Sequence, residues 1–122
     1  MIAEENGVFH IRTDTYSYLF KIDAYGLPEH LHFGAPVKTR DAGALSCRPG
    51  LGWGTGILLD PKDTASCPDV LPLEWSGSGR GDYRESPLEL AGEPGDFRYA
   101  GYKIHEGGVS MACGLPQAHD AL

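Results

Sequence analysis

Four groups of residues carry types and spacings that could do chemistry. Glu29-His30-Leu31-His32 sets two imidazoles beside a carboxylate, and in an extended strand His30 and His32 would share a face about 7 Å apart. No clear third ligand accompanies them, so the sequence assigns no metal. Gly50-Leu51-Gly52-Trp53-Gly54-Thr55-Gly56 has the glycine density of a phosphate loop. Position 55 is Thr, however, no Lys-Ser/Thr pair follows, and no helix begins there to present its N-terminus to an anion. The pattern therefore argues against nucleotide binding, and no cofactor is implied. The loop is then either a surface excursion or a segment that reaches a sugar. Trp53 favours the second, since an indole face can stack on pyranose C–H groups. Arg80-Gly81-Asp82 spells an adhesion tripeptide, but a glycine turn in which Asp82 accepts local backbone donors explains it as well. Seventeen acidic residues could in principle pair for acid–base work. Nothing in the sequence singles out two of them as a pair.

The elements that must position these residues are strands. Seventeen glycines and nine prolines in 122 residues are too many for a helical bundle and fit a turn-rich β domain, one in number at this length. Phe9 and Ile11 share a parity within Val8 to Arg12, and Asp14-Thr15 marks a turn. Tyr16, Tyr18, Phe20 and Ile22 then recur at period two with Ser17 and Lys21 opposite, which predicts a half-buried antiparallel strand. Ala24-Tyr25-Gly26 turns the chain into a third strand, His30 to Phe33, expected to bury Leu31 and Phe33. Residues 8–34 thus read as a three-strand meander.

Periodicity fails from Ala35 to Val70, where four prolines interrupt it and Ile57-Leu58-Leu59 offers one brief strand. An irregular loop of this length inside a compact domain is usually functional or disordered. Pro87 to Leu90 reads as a strand fragment. Phe97 to Glu106 reads as a last strand whose alternation changes phase at Ala100-Gly101, the signature of a bulge. Apolar Val109, Met111 and Leu115 near the end are expected to form an exposed patch. The fold class is all-β, an antiparallel sandwich with one long irregular loop; a small barrel is the competing architecture.

Charge and cysteines narrow the partners. A net charge of −7 without clustered Lys or Arg argues against nucleic acid. No apolar run approaches a membrane span, and residues 1–6 lack a secretion signal, so the expected compartment is the cytoplasm. Cys47, Cys67 and Cys113 are odd in number and widely spaced, which fits neither a disulfide framework nor a zinc site.

One stretch carries a family resemblance. Glu74-Trp75, Gly79, Gly81-Asp82-Tyr83-Arg84 and the nearby Pro87 resemble the E-[YW]-x-x-x-G-x-G-D-[YF]-R-x-P segment in the N-terminal β-domain of the α-galactosidases of glycoside hydrolase family 36. Two further blocks stand in the family's order. Thr15 to Phe20 with Gly26-Leu27 and His30 to Gly34 is similar to its opening, and Asp96 to Tyr99 with Lys103-Ile104 and Gly114-Leu115-Pro116 to its later part. The resemblance implies that residues 1–122 are a single N-terminal domain, a β-supersandwich cut before its final strands, in a retaining α-galactosidase several times longer. It implies catalytic aspartates on a (β/α)₈ barrel elsewhere in the polypeptide, so no catalytic residue here. It also implies homo-oligomer contacts and an α-galactoside substrate such as melibiose or raffinose. Some members reach a neighbouring subunit's sugar with an Asp and an Arg from this domain's loop. The family arginine falls at Thr64 here, which leaves Arg48, Trp53 and Asp63 as candidate substrate-lining residues. A free-standing sugar-binding module using Trp53 and Trp75, or a structural domain without ligand, are the alternatives.

Overall fold

The computed structural model describes residues 1–48, 58–75, 77, 85–87, 91–92 and 97–107. They form one antiparallel sheet of four strands in sequential order: β1 (Ile2–Glu5), β2 (Val8–Arg12), β3 (Ser17–Ile22) and β4 (Pro28–Gly34). A 3-10 turn, Thr39–Asp41, runs into the short helix α1, Ala42–Leu45. The protein is all-β.

Local chemistry explains each connection. Asn6-Gly7 joins β1 to β2 with both residues at positive φ (53° and 78°), as a two-residue hairpin that matches strand twist requires. The Glu4 carboxylate closes it by accepting the Gly7 N–H at 2.7 Å. Between β3 and β4, Asp23 Oδ1 accepts the N–H groups of Tyr25 (2.9 Å) and Leu27 (2.8 Å), while Gly26 takes φ 75°. Beyond β4, residues 72–74 run alongside its free edge. The His30 N–H donates to the Pro72 carbonyl at 2.6 Å and the Glu74 N–H to the Pro28 carbonyl at 2.9 Å.

The core lies on the face that carries Ser17 and Leu19. Leu19, Leu31 and Ala42 are buried together, with Val8, Val37 and Leu45 packed around them. Chain that is irregular apart from α1 covers this face. The opposite face is aromatic: Phe9 stacks on Phe20 at 4.8 Å, and Tyr102 meets Phe9 edge-on at 4.9 Å.

Several expectations need correction. The meander has a fourth strand, β1, because the Asn6-Gly7 turn folds Ile2–Glu5 back onto β2. Phe33 is 69% exposed rather than buried. The register between β3 and β4 shifts at Leu19/Phe20, so that Leu19 faces His32 while Phe20 faces His30 and Leu31 is the additional residue. That bulge flips the parity of β4, leaving Leu31 in the core and sending Phe33 to the aromatic face beside Tyr18. The same shift places His30 opposite Phe20 and His32 opposite Leu19, which breaks the shared-face geometry of a histidine pair. Residues 97–106 form no strand. They lie on the aromatic face through Tyr99 and Tyr102, with the Tyr99 N–H donating to the Gly26 carbonyl at 3.0 Å, so ring packing takes the place of a ladder. Finally, Leu58 and Leu59 are not in a strand, and Pro87 lies in a bend. Ile57, Leu88 to Leu90, Val109, Met111 and Leu115 fall outside the described residues.

Candidate functional site

The sheet's inner face carries a polar cluster that the sequence did not single out, and two candidate residues belong to it. Lys21 on β3 and Glu29 on β4 are direct register partners. Glu29 is wholly buried. Its Oε2 accepts from Arg48 Nη2 at 2.6 Å and lies 3.4 Å from Lys21 Nζ, while its Oε1 accepts from the Ser46 hydroxyl at 3.2 Å. Lys21 also donates to Ser46 Oγ at 2.7 Å. A carboxylate without water needs such partners, since an unpaired buried charge is costly.

Asp63 sits further along the same chain of contacts. Arg48 Nη1 approaches Ser66 Oγ at 3.5 Å, and the Ser66 hydroxyl bonds Asp63. Asp63 also accepts from the Tyr25 hydroxyl at 2.9 Å and from the Ala65 N–H at 3.0 Å. These donors, Ser66 first, hold the Asp63 carboxyl below its ordinary range. Conversely, the bond to Asp63 raises the Tyr25 phenol to about 12. Arg48 and Asp63 are therefore brought into one network through Ser66, with both Nη atoms of Arg48 and both carboxylate oxygens of Asp63 in contacts within the fold. Trp53 lies outside the described residues.

The motif residues divide similarly. Glu74 accepts from the Tyr18 hydroxyl and pairs with His30 Nδ1 at 2.6 Å, which fastens residues 71–75 to β3 and β4. Burial, and then this carboxylate, push the Tyr18 phenol well above its usual range. Trp75 meets Phe97 edge-on at 6.2 Å. Gly79, Gly81, Asp82, Tyr83 and Arg84 fall outside the described residues.

Among the described residues, concavities adjoin both faces of the sheet. One of about 340 Å³ lies on the aromatic face, lined by Phe9, Phe20, Trp75, Phe97, Tyr99 and Tyr102 among others. Apart from Arg98 its lining is apolar and aromatic, which suits packing better than a hydroxyl-rich ligand. The other, about 550 Å³, is lined by Arg12, Thr13, Asp14 and Ser17 near the chain start. Behind Ser17 sits His10, 2% exposed, with Nε2 2.9 Å from Ser17 Oγ and Nδ1 2.8 Å from Thr39 Oγ1. Sequence reasoning missed His10, Lys21 and Ser66, and named Glu29 only as the carboxylate beside two histidines. Glu29 did carry a signal, being a polar residue at the parity of Leu31, but its partners Ser46 and Arg48 lie 17 and 19 residues further along the chain.

Comparison with known proteins agrees with the resemblance. The Glycosyl hydrolase family 36 N-terminal domain matches residues 26–121. Alpha-galactosidase Mel36A of Lactobacillus acidophilus is 31% identical over 120 residues, covering 94% of this chain and 16% of that protein. Alpha-galactosidase 1 of Pediococcus pentosaceus is 31% identical over 121 residues, 96% of this chain and 16% of its own length. Alpha-galactosidase AgaA of Geobacillus stearothermophilus is 28% identical over 115 residues, 91% of this chain and 15% of its own. The chain thus spans about a sixth of the length of these relatives. This chain belongs to glycosyl hydrolase family 36, within the N-terminal domain of that family.

Proposed function

We propose that residues 1–122 are the N-terminal, non-catalytic domain of a longer cytoplasmic α-galactosidase that removes terminal α-galactose with retention from substrates such as melibiose and raffinose. The observation that carries this reading is similarity over nearly the whole chain to three proteins named as alpha-galactosidases, each about six times longer. Two carboxyl groups about 5–5.5 Å apart are needed for retention. The acids of the polar network are poorly suited to that task. Glu29 is neutralised by Arg48 and Lys21, and Asp63 and Glu74 accept hydrogen bonds from fold residues. The catalytic pair then belongs to the rest of the polypeptide, and this domain supports the catalytic barrel and contributes oligomer contacts. In this reading Arg48, Trp53 and Asp63 are the candidate substrate-lining residues. No cofactor or metal is invoked. Among the described residues no helix is long and apolar enough to cross a membrane.

The test uses the longer polypeptide against a panel of aryl glycosides, with the anomer of released sugar followed by NMR. Preferential hydrolysis of the α-galactoside with α-galactose as first product is expected. Preference for another glycoside, or first release of the β-anomer, would overturn the assignment.

A further inference from the structure

We propose that His10 is an acid-sensitive latch: while neutral it pins residues 37–39 to the sheet, and on protonation it releases them. The latch does not depend on the function proposed above. Its parts come from three places. The ring stands on β2, Ser17 opens β3, and Val37 and Thr39 belong to the chain that covers the core face. Together they form one directional series of hydrogen bonds. The Val37 N–H donates to Ser17 Oγ at 3.2 Å. Ser17 is buried, and its hydroxyl proton meets an acceptor in His10 Nε2, 2.9 Å away. The ring proton is therefore on Nδ1, which donates to Thr39 Oγ1 at 2.8 Å. The other tautomer would aim a second donor at Ser17 Oγ and turn the serine proton away from its buried acceptor, at a cost.

A proton added at Nε2 breaks this series at its centre. Nε2 changes from acceptor to donor, the Ser17 proton loses its acceptor, and a buried cation is left with two neutral hydroxyls as partners. The surrounding charges do not compensate. Glu5 on β1 favours the charged ring, but burial opposes it most, and Arg12 on β2 and His32 on β4 oppose it too. The covering chain adds Lys38, Arg40 and Asp41, all exposed, with Arg40 and Asp41 paired at 3.9 Å. What yields is the covering chain. Strand β2 is paired with β3 along its whole length, whereas residues 37–39 are tied to the sheet by these side-chain bonds and the packing of Val37. Val37 also walls the concavity of about 550 Å³ beside Arg12 and Asp14, so its release opens that hollow toward Leu19 and Leu31.

Native-state hydrogen exchange of the 122-residue chain, read by NMR at the Val37 amide, tests the latch. In the released state His10 titrates near its ordinary 6.5, so that state should grow about tenfold between about pH 7.5 and 5.5. After correction for the intrinsic exchange rate, Val37 should therefore exchange about tenfold faster at the lower pH. Its rate should stay flat in low urea, because local release exposes little surface, while amides of β3, paired on both sides, should show a steep urea slope. Equal urea slopes at Val37 and in β3, or no pH response at Val37, would overturn the proposal. In His10→Asn the pH response should vanish, and its persistence in a folded variant would also overturn the latch. If His10→Asn does not fold, the two wild-type slopes decide alone. A ring spectrum at about pH 7.5 that places the proton on Nε2 would contradict the series of bonds directly.

Discussion

Replacing Leu19 and Phe33 separately with Ala tests which face of the sheet is the core. Leu19 is 0% exposed and packs against Leu31 and Ala42, with Val8, Val37 and Leu45 around them. Truncating a leucine in such a setting removes its transfer free energy and leaves a cavity, a loss of about 3 kcal/mol. Phe33 hides only about a third of its surface, and its edge contacts to Tyr16 and Tyr18 have centroid distances of 5.9 and 6.1 Å. One third of a full aromatic burial plus one weak ring pair comes to about 1 kcal/mol. The difference of about 2 kcal/mol is large against a total stability of about 5–15 kcal/mol. In urea, with a slope of about 2 kcal/mol/M, it should separate the two midpoints by about 1 M. Equal midpoints, or a greater loss for Phe33→Ala, would show that the aromatic face is the true core and that the register shift in β4 is wrong.

Further outcomes follow from the polar contacts. His10 is held below its ordinary pKa of 6.5, chiefly by burial and then by Arg12, with His32 acting the same way and Glu5 opposing. The unfolded chain therefore binds a proton first, so stability should be full above that ordinary value and fall as pH drops from about 6.5 toward the folded pKa. Urea midpoints between about pH 7.5 and 5.5 should show this slope in the wild type and a flatter one in His10→Asn. Glu29→Gln should cost about 3 kcal/mol, because it leaves Arg48 and Lys21 without their buried counter-charge. A double-mutant cycle with Arg48→Met should return a coupling of about 2 kcal/mol, and a value near zero would mean the pair contributes nothing. Tyr18→Phe removes the hydroxyl that binds Glu74 and should lower stability by about 1 kcal/mol, measured by the same titration.

What was legible in the sequence was local. The alternation of Tyr18, Phe20 and Ile22 identified β3, and Asp14-Thr15 and Ala24 to Gly26 do form its flanking turns. Strand β1 was missed because Ile2-Ala3-Glu4-Glu5 does not alternate; its signal was the Asn6-Gly7 pair, which dictates a tight hairpin. Phe33 was misassigned because period-two reasoning assumes a regular strand, and the bulge is set by pairing with Leu19 and Phe20. The expected strand at 97–106 failed for a related reason. Its apolar residues serve packing on Phe9, and alternation cannot distinguish a ring that packs on a sheet from one that belongs to it. Of the candidate site, Arg48 and Asp63 were found by type, whereas their joining through Ser66 depends on contacts across 18 residues that no local pattern encodes. The family was legible because its motif residues are punctuated by glycines and prolines whose order survives without any knowledge of pairing.

The central claim is that this domain serves an α-galactosidase without performing the chemistry. The most direct measurement is hydrolysis of an aryl α-galactoside by the purified 122-residue chain. No turnover is expected, since a carboxyl pair about 5–5.5 Å apart around a closed sugar pocket is required and the acids of the polar network are engaged in the fold. Turnover that disappears when a single carboxylate of this chain is replaced would contradict the account.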